Sequence, residues 1–82
     1  YPDFHPNLAT TYNTIAVTCN YWRLFAVAYG NREKEIEFTQ RALQYAKKAL
    51  EIDERALPPN HPQRILHQKN FDYYTKLAGF IF

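Results

Sequence analysis

The sequence predicts an all-α fold: an antiparallel hairpin of two long helices followed by a third helix. Apolar residues recur at helical spacing over two long stretches, and short breaks containing glycine or proline separate the predicted helices. The composition is also that of packed helices, because the 82 residues include two glycines and no serine, and 46% are hydrophobic. A flexible or low-complexity chain would be richer in glycine, serine and charge.

The first helix is predicted over residues 7–29, and residues 1–6 are expected to be a linker or the tail of a preceding repeat. Pro6 stands where a first helical turn tolerates proline, and Gly30-Asn31 is the break that follows. Apolar residues recur every three or four positions, which is the pattern of a buried helical stripe. The stripe consists of Leu8, Tyr12, Ile15, Cys19, Trp22, Ala26 and Tyr29.

The second helix is predicted over residues 32–57 and has the clearest pattern of the three. Charged residues fill one face, and Pro58-Pro59 stops the helix. Rows of leucine-type residues and of alanine repeat every seven positions on the other face. These rows are Ile36, Leu43, Leu50 and Leu57, and Ala42, Ala49 and Ala56. Because small side chains let a facing helix approach closely, the alanine row predicts the seam of the hairpin.

A third helix is predicted within residues 62–82, with Pro62 in its first turn and Gly79 at its end. Asn60 or His61 is expected to cap its start. We interpret this helix as a capping helix or as the first helix of a next repeat. The start at Tyr1 and the apolar end at residues 80–82 favour a piece of a longer protein. The alternative is a tail that folds back onto its own core.

The chain contains a partial internal repeat, since residues 1–6 parallel residues 57–62 and both end in His-Pro at a helix start. Residues 5–16, HPNLATTYNTIA, resemble the first helix of a kinesin-light-chain-type tetratricopeptide repeat. Residues 42–62, ALQYAKKALEIDERALPPNHP, resemble its second helix and linker. The resemblance implies an α-solenoid: helix pairs stacked into a right-handed superhelix with a concave groove.

The unit is about 14 residues longer than the usual repeat of that family, which corresponds to roughly two added turns on each helix. We favour longer helices over a bulging loop, because residues 20–41 contain a single glycine and no proline. A second departure is Asp72, which replaces a small apolar residue in the third helix. An unpaired carboxylate is costly to bury, so this helix is expected to be atypical.

The resemblance implies a scaffold for protein–protein interaction, in which helices one and three line a groove for a peptide or partner protein. Thr14 stands where the family often has a second asparagine. The alternative is a structural or assembly subunit that packs through apolar helix faces without a specific peptide ligand. The groove residues carried over by position are Thr10, Asn13, Thr14, Val17, Tyr21, Leu66, Lys69, Asn70 and Tyr73.

No catalytic residues, cofactor or metal site are expected, so we do not predict an enzyme. Cys19 lies on the apolar stripe and is interpreted as a buried structural thiol. His61 and His67 do not share a helix face, and His5 and His61 are expected to cap helices. The net charge of +2 is not concentrated in a basic block, and no apolar run could span a membrane. We therefore expect a protein or peptide partner, neither nucleic acid nor a membrane, and a cytoplasmic location.

The segment of residues 21–29 is apolar nearly all round, with Arg23 as its single charge. Such a segment is normally buried on every side, but three helices are too few to cover it. Neighbouring repeats, a second chain or a bound ligand could provide the cover, and the sequence leaves these alternatives open.

Overall fold

The computed structural model describes residues 5–81, which form three α-helices. Their bounds are Pro6–Ala28 for α1, Arg32–Ala56 for α2 and Pro62–Ile81 for α3. No strand occurs within these residues, so the predicted all-α class is confirmed. Both hairpin helices are long and continuous, which confirms the expectation of longer helices over a bulging loop. The expectations about residues 1–4 and Phe82 lie outside the described part.

The three helices begin with side-chain caps. His5 Nδ1 accepts a hydrogen bond from the Asn7 backbone N–H at 3.1 Å. His61 Nδ1 accepts one from Gln63 at the same distance, so His61 rather than Asn60 caps α3. Asn31 caps α2 by accepting from the Lys34 N–H, directly after Gly30, whose φ is 71°. The matching histidine caps of α1 and α3 agree with the internal repeat of the sequence.

Buried alanines form the seam between α1 and α2. Ala42 and Ala46 pack with Ala16, whereas Ala49 packs with Ala9 nearer the start of α1. This order makes the two helices antiparallel, and the close approach is possible because alanines face each other across the seam. The seam follows positions 42, 46 and 49 rather than 42, 49 and 56, since Ala56 is half-buried.

The buried face of α1 differs from the predicted stripe. Ala9, Ala16, Arg23 and Ala26 are buried, whereas Trp22 and Tyr29 are 54% and 85% exposed. The reason is steric, because two helices in close contact accommodate alanine between their backbones and push large rings to the flanks. Arg23 lies inside and donates from Nε to the Asn20 side-chain oxygen at 2.9 Å.

The predicted end of the third helix at Gly79 is wrong, because α3 continues through Gly79 to Ile81. A glycine ends a helix when it adopts left-handed backbone angles, and Gly79 does not adopt them. Arg32 at the start of α2 donates a hydrogen bond to the Ile81 carbonyl at 3.0 Å. None of the described helices has the length and hydrophobicity that crossing a membrane requires.

The burial of Tyr74 makes the stability of the fold depend on pH in the alkaline range. It is 3% exposed and packs on the alanine seam, where burial, with a smaller effect of Tyr73, raises the pKa of its hydroxyl. In the unfolded chain the hydroxyl ionises near pH 10. The stabilisation by neutral Tyr74 is therefore complete below about pH 10 and is lost as the pH rises through the folded pKa.

We therefore expect Tyr74→Phe to lose less stability than the wild type between about pH 9 and pH 11. Thermal denaturation across this range measures the difference. The matched control is Tyr73→Phe, since the Tyr73 side chain is exposed. If the wild type and Tyr74→Phe lose the same thermal stability as the pH rises, ionisation of Tyr74 is not the cause of the loss.

Candidate functional site

The candidate site lies where α1 and α3 run side by side. Both helices are antiparallel to α2 and therefore parallel to each other, so residues at similar distances from the two helix starts come together. Asn70 Nδ2 donates a hydrogen bond to Asn13 Oδ1 at 3.0 Å. The structure thus brings together one asparagine from each helix of the predicted groove.

The mutual bond leaves the whole NH₂ group of Asn13 and the whole carbonyl oxygen of Asn70 unused. Each asparagine amide provides a carbonyl oxygen and an NH₂ group. The mutual bond uses the Asn13 oxygen and one Asn70 N–H, and neither side chain makes another hydrogen bond within residues 5–81. Asn13 Nδ2 and Asn70 Oδ1 therefore offer the combination that complements the C=O and N–H of a peptide backbone.

The hydroxyl groups of the two groove threonines, Thr10 and Thr14, donate hydrogen bonds to backbone carbonyls of their own helix. Thr10 Oγ1 donates to the Pro6 carbonyl at 3.3 Å, and Thr14 Oγ1 donates to the Thr10 carbonyl at 2.9 Å. Each hydroxyl oxygen keeps acceptor capacity while its proton is held by the helix. Toward a ligand these exposed side chains therefore act as acceptors for N–H groups.

The remaining predicted residues flank the asparagine pair on α1 and α3. Val17 is half-buried, and Tyr21, Leu66, Lys69 and Tyr73 are exposed. Tyr73 rests edge-on against Tyr74, with ring centroids 5.4 Å apart. Lys69 also lines a hollow of about 410 Å³ next to the groove. The structure leaves apolar and aromatic surface available on both sides of the polar pair.

A buried polar network next to the groove joins all three helices. His67 Nδ1 donates to Asp53 Oδ2, and the two side chains are 3% and 0% exposed. Gln63 Nε2 donates to Asp53 Oδ1 at 3.0 Å and to the Pro6 carbonyl at 3.1 Å. We call Asp53, Gln63 and His67 the polar network below.

The polar network was not predicted from the sequence, although one signal for it was present. Asp53 continues the alanine seam of Ala46 and Ala49 by one more step, so its carboxylate had to be buried. A buried carboxylate requires a donor. His67, which the face comparison with His61 left without a role, provides it from the third helix.

A second surface lies at the other end of the hairpin, where aromatic side chains of α1 and α2 enclose an apolar hollow of about 460 Å³. Trp22 contributes to it with ring centroids 5.7 Å from Phe25 and 6.5 Å from Phe38. Lys34 lines its edge and pairs with Glu37 at 3.0 Å, and this hydrogen bond lowers the pKa of the Glu37 carboxyl. The three helices thus leave this apolar end open to solvent.

Cys19 is half-buried and packs against the cluster around Ala16 and Tyr74. Burial raises the pKa of its thiol above the ordinary value, which more than offsets the attraction of the Arg41 charge. A raised thiol pKa lowers the fraction of reactive thiolate. These properties are those of a packing residue.

Comparisons of the chain with protein-family models, with curated proteins and with solved structures returned no match.

Proposed function

We propose that this module binds an extended segment of a partner protein in the groove between α1 and α3. The main support for this proposal is the Asn13–Asn70 pair, which leaves a donor group and an acceptor group side by side at the groove. An extended peptide presents alternating C=O and N–H groups that need such partners. Each net hydrogen bond would contribute about 0.5–1.5 kcal/mol.

Side chains around the pair would supply the rest of the affinity. Tyr21, Leu66 and Tyr73 are exposed large hydrophobic residues, and aromatic residues dominate the energetics of interfaces. Val17 follows Asn13 by about one helical turn on α1 and offers apolar contact. Lys69 would attract a carboxylate of the partner. The threonines would accept N–H groups of the peptide backbone.

The proposed context is a stack of tetratricopeptide-type units in the cytoplasm. The supporting observations are the repeated helix entry with its two histidine caps and the small-residue seam of the hairpin. In such a stack, α3 would follow the α1–α2 hairpin as the first helix of a next unit or as the end cap. Asp72 is exposed and accepts from Gln68, which suits an end cap.

The peptide-binding proposal predicts the effect of removing the asparagine pair. A peptide selected from a displayed random library serves as the probe, and Asn13→Ala with Asn70→Ala should weaken its binding roughly tenfold or more, since two or more hydrogen bonds are lost. Isothermal titration measures the change. The matched control is Asn7→Ala, at an exposed position on α1. Undiminished binding by the double variant would remove the pair from the site.

A second candidate function is assembly, which the exposed hollow around Trp22 and Phe38 favours. Exposed apolar patches of this kind often mark interaction surfaces. A second copy of the chain could cover the hollow by packing the same face against it.

The assembly candidate predicts self-association of the isolated chain. Sedimentation equilibrium should show a concentration-dependent dimer, and Trp22→Ser should shift it to monomer because the apolar contact is lost. The matched control is Tyr73→Ser, which removes an exposed aromatic ring from the other surface. A cleanly folded monomer at all concentrations would argue against assembly through this face.

A further inference from the structure

We infer that the buried polar network of Asp53, Gln63 and His67 positions the peptide groove by fixing α3 against the hairpin in one register. This inference rests on the proposed function, because it concerns the groove in which the peptide would bind. It makes Gln63 and His67 positioning residues that act through Asn13 and Asn70 without touching the ligand.

The placement of the network supports this role. Gln63 ties the first turn of α3 to the Pro6 carbonyl in the first turn of α1 and also to Asp53 of α2. His67 lies one turn further along α3 and bonds Asp53. Asn70 lies three residues beyond His67 and meets Asn13. Gln63 and His67 therefore precede Asn70 on the same helix.

Apolar packing alone would constrain α3 less strictly. Tyr74 and Ala78 are the buried apolar residues of α3, and its other large apolar residues are exposed or half-buried. Hydrophobic contacts are non-directional, whereas a hydrogen bond depends on distance and angle. A shift of α3 by one residue combines a movement of about 1.5 Å along its axis with a rotation of about 100°, and this rotation would turn Asn70 away from Asn13.

Buried polar groups of this type lower the stability of the fold, but in some proteins they hold the helices in a single arrangement. The expectation for an apolar replacement is therefore specific. Asp53→Ala extends the alanine seam, and His67→Leu restores the lost volume. This double variant should remain folded while α3 samples several registers.

The test measures the arrangement of α1 and α3 without any ligand. Spin labels are attached at Thr11→Cys and Thr75→Cys, two exposed positions, in a Cys19→Ala background. The parent should give a narrow distance distribution, and the double apolar variant one at least twice as wide at comparable thermal stability. The single variant His67→Gln retains Asp53 and keeps an N–H donor facing it. This variant should therefore give a distance distribution as narrow as that of the parent.

Peptide binding is then measured separately with the library-selected probe. The double apolar variant should bind the peptide at least tenfold more weakly than the parent. The single variant His67→Gln should bind it almost as tightly as the parent. If no peptide can be selected, the proposed function fails, and the distance distribution alone still decides the positioning role.

A distribution that stays narrow in the folded double variant would overturn the inference. If the double variant does not fold, Gln63→Met takes its place, because this change removes only the links to Asp53 and Pro6. A wider distribution in folded Gln63→Met supports the positioning role, and an unchanged one rejects it.

Discussion

Ala46→Leu should strongly destabilise the fold. Ala46 is fully buried and packs with Ala16 and Tyr74, so a larger side chain there would force the helices apart. Overpacking a close-packed core typically costs about 1–3 kcal/mol and occasionally more, and we expect the upper part of this range. For a domain of this size the melting temperature should fall by roughly 10–20 °C.

The control for this substitution is Ala28→Leu, which makes the same change at an exposed position near the end of α1. Because alanine and leucine have similar helix propensities, the control should change the melting temperature by only a few degrees. A similar effect at both positions, or a stable Ala46→Leu variant, would show that the seam is not closely packed.

His67→Leu should cause a second large loss of stability. The substitution removes the donor from Asp53 and leaves its fully buried carboxylate with Gln63 alone. Breaking one side of a buried pair typically costs about 3–5 kcal/mol. Asp53→Ala should cost less, about 1–3 kcal/mol, because it leaves a single imidazole nitrogen without its hydrogen-bond partner. Urea denaturation at neutral pH measures both values.

His61→Leu is the matched control for this prediction. It removes a helix cap, which is worth about 0.5–2 kcal/mol, and leaves the buried pair intact. Destabilisation by His67→Leu that is no larger than that of His61→Leu would contradict the account of the polar network.

The helices and their pairing could be predicted from the sequence because the strongest signals are local. The charged face and alanine rows of α2 indicate a helix and its contact face, and Gly30-Asn31 and Pro58-Pro59 mark the breaks. Asn13 and Asn70 were both assigned to the groove through the family resemblance, but the hydrogen bond between them was not predicted. The nine groove residues remain predictions, and within residues 5–81 the Asn13–Asn70 pair is the one hydrogen bond that joins two of them across the groove.

The misses have a common physical cause, which is that three-dimensional packing selects size and hydrogen bonding as well as hydrophobicity. A stripe chosen by hydrophobicity favoured Trp22 and Tyr29, but Ala9 and Ala16 occupy the contact between α1 and α2, where the backbones approach closely. Arg23 is buried although it is the one charge of α1. The partners of Asp53 lie on a helix whose placement no local pattern specifies.

The most direct test of the proposed binding site is to map a selected peptide onto the chain by nuclear magnetic resonance. The ¹⁵N-labelled protein is titrated with the peptide that binds most tightly from a displayed random library. We predict that the largest shift changes, including those of the side-chain amides, occur at Asn13 and Asn70 and at their flanking groove residues. Shift changes confined to the aromatic hollow around Trp22 and Phe38 would contradict the proposed groove.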